Sequence, residues 1–184
     1  DDREEAGREQ RPILALRKTR KLTVGVGLTA RKQKQDDAFV SIANTRGVLS
    51  GGTLELGQIF GVSRPMIGSQ FPRSAGGFTL VFDVGATVDA KPHWLKEYGI
   101  MGTIYSRDIF GIENPSVALL SVGEEEAKGN ELTTAASKLL QETNINFVGN
   151  VEGRDILNVE VDVVLCDGFT GNLLLKFAES FLPS

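Results

Sequence analysis

Residues 117–132 read Val-Ala-Leu-Leu-Ser-Val-Gly-Glu-Glu-Glu-Ala-Lys-Gly-Asn-Glu-Leu. Six residues suited to a buried strand are followed by an acidic loop between Gly123 and Gly129, and a helical pattern begins directly after it. A strand, a glycine-rich turn and a helix start form the basic anion-binding unit of α/β proteins, because backbone N–H groups at the turn point at the ligand. Lys128 adds a mobile positive charge with three donors. The stretch therefore predicts a loop that holds an anionic group.

The rest of the chain repeats this order of apolar strand, polar loop and helix. Strands that alternate with helices predict βαβ units and a mostly parallel sheet, and near-continuous apolar runs indicate strands covered on both faces. In such sheets ligands bind outside the carboxyl ends of the strands, where five predicted loops carry glycine, asparagine, aspartate or lysine. The predicted strands are residues 37–40, 78–84, 117–122, 145–148 and 161–166, and the predicted helices are roughly residues 45–59, 94–110, 133–141 and 173–181.

The composition is that of one globular domain. The 184 residues suffice to bury a core, so residues 1–184 are predicted to form a single α/β domain. One cysteine cannot form an internal disulfide, which suits a reducing compartment. No apolar run approaches the roughly 18 residues of a membrane span, and the charged start does not fit a signal peptide. These features predict a cytoplasmic protein.

Charge is unevenly distributed along the chain. Residues 1–35 are basic, and the remainder is acidic. Residues 1–12 are expected to form a loose, solvent-facing end. The run Arg-Lys-Thr-Arg-Lys at residues 17–21 is either a solvated face or a patch for an acidic partner. Nucleic acid is not a predicted partner, because the body is acidic and lacks aromatic residues interleaved with basic ones.

A second glycine pattern lies near the start of the chain. Residues 25–30 read Gly-Val-Gly-Leu-Thr-Ala, which matches the dinucleotide fingerprint G-x-G-x-x-A. That fingerprint requires an acidic residue about 20 positions later. Asp36 and Asp37 come too early and Glu55 comes too late, so a nucleotide site is not predicted.

The usual nucleophile and metal sets are missing. His93 is the only histidine and follows Pro92 at a predicted helix start, where a surface or capping role is expected. Cys166 ends a strand without a histidine nearby in sequence, which is typical of a buried, inert thiol. The spacing of the aspartates in the predicted loops matches no recognised cation cage. No cofactor and no metal are therefore predicted.

The functional groups that remain in the predicted loops are backbone N–H donors, lysines and asparagines. These groups suit acyl transfer to inorganic phosphate. Phosphate is itself the nucleophile, and the protein holds it in line while polarising the acyl carbonyl. In this interpretation Lys128 pairs with phosphate and Asn172 donates an amide N–H to the carbonyl oxygen. The alternatives are a solvated loop lysine and a helix N-cap, respectively.

Four motifs resemble the PlsX family, the bacterial acyl carrier protein–phosphate acyltransferases. They occur in the family's order and can be followed from about Ala15 to Ala178. The motifs are Asp-Val-Gly-Ala-Thr-Val-Asp-Ala-Lys-Pro at 83–92, Gly-Glu-Glu-Glu-Ala-Lys-Gly-Asn-Glu-Leu at 123–132, Asn-Phe-Val-Gly-Asn-Val-Glu-Gly-Arg-Asp at 146–155 and Cys-Asp-Gly-Phe-Thr-Gly-Asn at 166–172.

The resemblance implies an enzyme that converts acyl carrier protein carrying a fatty acyl group, plus phosphate, into acyl phosphate for phospholipid synthesis. It implies a three-layer α/β/α fold like isocitrate and isopropylmalate dehydrogenases and phosphotransacetylases, a homodimer, and peripheral membrane association through segments outside this chain. The family's active-site lysine and asparagine fall on Lys128 and Asn172. The loop residues expected to bind substrate or phosphate are Asn44, Thr45, Gly85, Asp89, Lys91, Gly123, Gly129, Asn130, Asn150, Asp167, Gly168 and Gly171.

This chain also departs from the family pattern. Ala43 and Arg46 replace two family glycines, which is expected to strain or block that loop, and Thr87 stands where asparagine is usual. Residues 25–30 lie where the family has a helix. The chain is expected to be an incomplete version of a longer family member, covering roughly half of it. The alternatives are an enzyme of the same fold that uses acyl-coenzyme A, and a non-catalytic domain that binds acyl carrier protein.

Overall fold

The structure, a computed structural model, describes residues 23–158 and 160–181. The chain divides into two units, residues 1–65 and residues 66–184. The assignment of residues 1–184 to a single domain stays a prediction. No helix among the described residues is both long enough and apolar enough to cross a membrane.

The first unit contains helix α1 (Thr23–Lys32) and helix α2 (Thr45–Glu55) among its described residues. Helix α1 covers the glycine pattern of residues 25–30, as the resemblance implied. The ring of Phe39 occupies the space that a side chain at Gly27 would fill. The absence of a side chain at Gly27 therefore allows the ring of Phe39 to pack closely against helix α1. The predicted loose end and the basic run lie outside the described residues.

Three expectations for the first unit are wrong. Residues 37–40 do not form a strand, since a strand requires a pairing partner and all described strand pairs lie in the second unit. Neither Ala43 nor Arg46 has a left-handed φ, so the expected backbone strain is absent. Helix α2 ends earlier than predicted because Gly57 adopts a φ of 83°, the left-handed conformation that commonly terminates helices.

The second unit is built on a five-stranded sheet in the order β1-β2-β5-β3-β4. Strand β1 pairs antiparallel with β2, and the other three pairings are parallel. The sequence patterns identified the four parallel strands and missed β1. The strands are β1 (Gly68–Pro72), β2 (Phe78–Phe82), β3 (Ser116–Leu120), β4 (Asn146–Val151) and β5 (Val163–Leu165), and the helices are α3 (Pro92–Phe110), α4 (Glu131–Gln141) and α5 (Gly168–Glu179).

Helices cover both faces of this sheet, so the second unit has α/β/α layering. Helices α3 and α4 pack on one face, and α5 packs on the other. Each parallel strand contributes apolar side chains to both cores, which explains the continuous apolar runs in the sequence. The fully buried large residues of the α3/α4 face are Leu95, Tyr98, Leu119, Leu140 and Leu165.

Strand β4 contains a bulge that changes the face of its last residues. Val117 pairs with Phe147, and Ala118 pairs with Gly149, so Val148 is the extra residue. Gly149 has a φ of 101°, a conformation that glycine tolerates. The predicted strand ended at Val148, but the bulge allows β4 to continue to Val151.

Candidate active site at the carboxyl edge of the sheet

Three neighbouring strands, β2, β5 and β3, end side by side at one edge of the sheet. The helices after β2 and β3 lie on one face, and the helix after β5 lies on the other. Adjacent strands whose helices diverge in this way leave a crevice at their carboxyl ends. The predicted polar loops at residues 83–91, 121–130 and 167–172 therefore follow strands that meet at one edge, as the sequence indicated.

The loop after β2 is organised by the buried side chain of Asp83. Burial raises the pKa of this carboxyl, and hydrogen bonds from backbone N–H groups oppose that rise. These bonds fix the chain between Asp83 and Thr87 in a tight turn. The donors are Ile67 N (3.2 Å), Gly85 N (3.1 Å) and Ala86 N (2.8 Å) to Oδ1, and Thr87 N (2.7 Å) to Oδ2.

Replacing Asp83 with alanine is expected to destabilise the protein strongly. The change leaves the four N–H groups without their acceptor, and a buried unsatisfied donor costs about 1–3 kcal/mol. Urea unfolding at pH 7 measures the difference. Asp89→Ala is the matched control, because Asp89 is an exposed carboxylate in the same loop. Equal stability of the two variants would contradict the role assigned to Asp83.

Wild type and Asp83→Ala are also expected to differ in the pH dependence of their stability. Because the folded pKa of Asp83 lies above its ordinary value of 3.8, this carboxyl favours folding most below that value. Its contribution is lost as pH rises through the folded pKa. The stability advantage of wild type over Asp83→Ala should therefore shrink as pH rises. If the difference in unfolding free energy between wild type and Asp83→Ala stays constant as pH rises from below 3.8 to 7, the pKa of Asp83 is not raised.

Helix α5 begins directly on this turn. Asp167 is its N-cap, and its carboxylate accepts hydrogen bonds from Thr170 N and Thr170 Oγ1, both at 2.8 Å. Gly168 N donates to Thr87 O at 2.8 Å. Asp167 and Gly168 thus have defined contacts within the protein, and their contact with substrate stays a prediction.

Asn172 lies inside α5 and is not its N-cap, since the helix starts at Gly168 and not at the predicted Leu173. Its side chain is exposed and stands against the loop after β2, where a Cβ atom at Gly85 would lie 3.4 Å from Asn172 Oδ1. Gly85 has a φ of 140°. The structure therefore brings Asn172 and Gly85 together and leaves the amide accessible.

Lys128 is exposed at the end of the loop after β3. Among the described residues, no carboxylate forms an ion pair with its ammonium group. The stem of its side chain passes over the buried Gly123, where a Cβ atom would lie 3.0 Å from Lys128 Cγ. Gly129 follows with a φ of 121°. At each end of the loop, at Gly123 and at Gly129, local geometry therefore favours glycine over a residue with a side chain.

Helix α4 starts directly after this loop with an uncharged cap. Asn130 Oδ1 accepts hydrogen bonds from Thr133 N (2.9 Å) and Thr133 Oγ1 (3.2 Å). The N-terminus of α5, by contrast, already faces the carboxylate of Asp167. A helix N-terminus favours anions, and at α4 the carboxylate of Glu131 in the first turn already meets part of that preference.

The other predicted site residues have separate environments. Asp89 is exposed, and the ammonium of Lys91 lies 5.3 Å from the centroid of the Trp94 ring. Asn44 is the N-cap of α2 in the first unit, accepting from Arg46 N at 3.0 Å, and Thr45 is the first residue of that helix. The roles of these four residues in binding substrate stay predictions.

Cys166 is buried, as its sequence position indicated. Burial, followed by the negative charges of Asp167 and Asp83, raises the pKa of its thiol. Its Sγ donates to Asp83 O at 3.4 Å. The thiol therefore stays protonated and supports the packing of α5.

Sequence reasoning missed Ser121 as part of this edge. Its Oγ donates to the backbone oxygen of Lys128 at 3.1 Å. The available signal was a hydroxyl residue near the end of an apolar run, where such side chains often bond to nearby backbone.

The chain as a whole matches a known protein family. Residues 2–183 match the model of a family described as fatty acid synthesis protein. The phosphate acyltransferase of Brevibacillus brevis is 45% identical over 171 residues, which cover 93% of this chain and 51% of that protein. The phosphate acyltransferase of Halothermothrix orenii is 51% identical over 170 residues, covering 91% and 51%. The chain spans about half the length of these curated relatives.

Solved structures show the same fold at low sequence identity. A phosphotransacetylase from Streptococcus pyogenes superposes with a TM-score of 0.64 at 17% identity, covering 84% of this chain and 54% of that chain. A branched-chain phosphotransacylase from Enterococcus faecalis V583 gives a TM-score of 0.64 at 16% identity, covering 86% and 64%. An α/β fold with a mostly parallel sheet is thus shared with both.

Proposed function

Because this chain belongs to the fatty acid synthesis protein family, the PlsX family, we propose that it transfers a fatty acyl group from acyl carrier protein to inorganic phosphate. The product is acyl phosphate for phospholipid synthesis. The observation that carries the proposal is that three segments bearing the family motifs follow neighbouring strands at one sheet edge. Lys128, in the loop after β3, and Asn172, in the first turns of α5, are both exposed there.

In the proposed reaction a phosphate oxygen attacks the carbonyl carbon of the acyl thioester. The C–O bond forms, the C–S bond breaks, and the phosphate proton goes to the departing thiolate, which leaves as the free thiol of the carrier protein. This route needs no nucleophile from the protein, which agrees with the buried, protonated thiol of Cys166. The protein supplies position and charge stabilisation.

Lys128 is proposed to bind the phosphate next to the N-terminus of α4. Its ammonium has no ion-pair partner among the described carboxylates. The N-terminus of α4 adds partial positive charge, which Glu131 in the first turn partly offsets. Asn172 is proposed to donate its amide N–H to the carbonyl oxygen as negative charge develops there. Removing one such donor typically lowers kcat by about 10²–10³-fold.

The test is thiol release from acyl carrier protein loaded with a long acyl chain, with and without inorganic phosphate. We expect release that requires phosphate. Parallel reactions with acyl-coenzyme A separate this activity from that of a phosphate acetyltransferase, which would release coenzyme A alone. Binding of the carrier protein without any thiol release would indicate a non-catalytic domain and contradict the proposal.

Further features are proposed from the same resemblance. The α/β/α layering of the second unit supports a three-layer fold of the isocitrate and isopropylmalate dehydrogenase type. The family also supports a homodimer in the cytoplasm that associates with the membrane surface through segments outside this chain. The basic run at residues 17–21 is proposed to contact the acidic carrier protein, so added salt should weaken that binding.

A further inference from the structure

We infer that Ser121 is a positioning residue for Lys128, acting through the backbone of the loop between Gly123 and Gly129. The inference rests on the proposed role of Lys128 in binding phosphate. Ser121 N donates to Val151 O at 2.9 Å, which fixes Ser121 in the sheet next to β4. Its hydroxyl then donates to Lys128 O at 3.1 Å. One serine thus connects the end of a buried strand to the lysine itself.

The loop is tied to the sheet at a second point by Asn150. Its Nδ2 donates to Glu125 O at 3.1 Å, and Lys128 N donates to the same oxygen at 2.9 Å. Asn150 therefore acts on the loop that carries Lys128. A third bond, from Gln141 Nε2 to Glu126 Oε1 at 2.9 Å, links the loop to helix α4.

The bulge in β4 is what makes the Asn150 contact possible. Asn150 pairs with Leu119, which faces the α3/α4 core, and Val151 pairs with Leu120, which faces the α5 core. Phe147, before the bulge, also faces the α3/α4 core. Strict alternation from Phe147 would have placed Asn150 on the α5 face. The extra residue reverses the faces and puts Asn150 on the side of α4.

These contacts matter because the Lys128 side chain has little else to hold it. Its ammonium forms no ion pair with a described carboxylate, and a lysine stem has high rotamer freedom. The position of the charge therefore depends on the position of the backbone at Lys128. A displacement of about 1 Å at a reacting group can lower the rate by about 10²-fold.

The test is Ser121→Ala in the full chain, with steady-state kinetics in inorganic phosphate. We expect the KM for phosphate to rise about 10-fold, with a smaller change in kcat. This is less than the roughly 10²-fold effect of moving a reacting group by about 1 Å, because the lysine itself is still present. Ser121→Thr keeps the hydroxyl and should restore the KM. Ser180→Ala is the matched control, since Ser180 Oγ also donates to a backbone oxygen, Phe177 O at 2.6 Å, near the end of α5.

Hydrogen exchange of residues 123–129 gives a readout that does not require activity. Exchange there should be faster in Ser121→Ala than in wild type and unchanged in Ser180→Ala. An unchanged KM and unchanged exchange in Ser121→Ala, together with an inactive Lys128→Ala, would overturn this inference and leave the proposed function standing. If wild type shows no phosphate-dependent thiol release, the proposed function is overturned instead. The hydrogen exchange rate of residues 123–129 in Ser121→Ala would then decide by itself whether Ser121 holds the loop.

Discussion

Replacing Lys128 with alanine is expected to lower kcat/KM for phosphate-dependent thiol release by at least about 10²-fold, the typical effect of losing a group that stabilises transition-state charge. The fold should survive the change, because Lys128 is exposed. Surface substitutions of this kind usually alter the free energy of unfolding by no more than about 0.5 kcal/mol. Thiol release and urea unfolding on the same preparation measure both quantities.

The matched control is Lys138→Ala. Lys138 is an exposed lysine on helix α4, so the two variants lose the same charge from neighbouring parts of the molecule. A comparable loss of activity in both would point to net charge and not to a defined contact at Lys128. Full activity in a folded Lys128→Ala variant would contradict its assignment to phosphate.

Gly171→Ala is expected to produce the largest loss of stability at a site glycine. A Cβ atom there would collide with the backbone oxygen of Asp83, and it would lie 2.8 Å from Asp83 C and 2.9 Å from Cys166 Sγ. The obstacle is backbone at the end of a buried strand, so helix α5 itself must move. Overpacking of this kind typically costs about 1–3 kcal/mol, and Asn172 would move with the helix.

Thermal and urea unfolding measure the effect of Gly171→Ala, and Gly153→Ala serves as its control. Gly153 also lies in the second unit. A Cβ atom added at Gly153 would have no atom of another part of the protein within 4 Å. That variant should be neutral or slightly stabilised, because alanine lowers the conformational entropy of the unfolded chain. Equal behaviour of the two variants would show that α5 does not need the close approach at Gly171.

The sequence was sufficient to predict the alternation of strands and helices in the second unit. Helix α3 begins with Pro92 at its first turn and ends before Gly111, which has a φ of 70°, and both signals are local. Strand β1 was missed because its Gly-Ser-Gln-Phe-Pro sequence has no strand pattern. It forms by antiparallel pairing with β2, and Gly68 leaves room there for the ring of Phe82.

The residues at the candidate site could be proposed from the sequence because their motifs are local. Gly123, Lys128 and Asn130 follow one strand within a single stretch, and Asp167 and Asn172 follow another. The sequence could not indicate which atoms these side chains contact. Asp167 caps α5 with its carboxylate, and Asn172 lies against Gly85, more than eighty residues away in the chain.

The sequence by itself determined the α/β class and the polar segments at the strand ends, since apolar runs and turn residues are local properties of the chain. It also led to the prediction of Lys128 and Asn172 as site residues. Only the tertiary structure decided which strands are neighbours, that Asp83 is buried beneath four N–H donors, and that a bulge turns Asn150 toward the Lys128 loop. The physical reason is that strand order and face depend on packing between distant segments, and one extra residue reverses a strand's face without changing its composition.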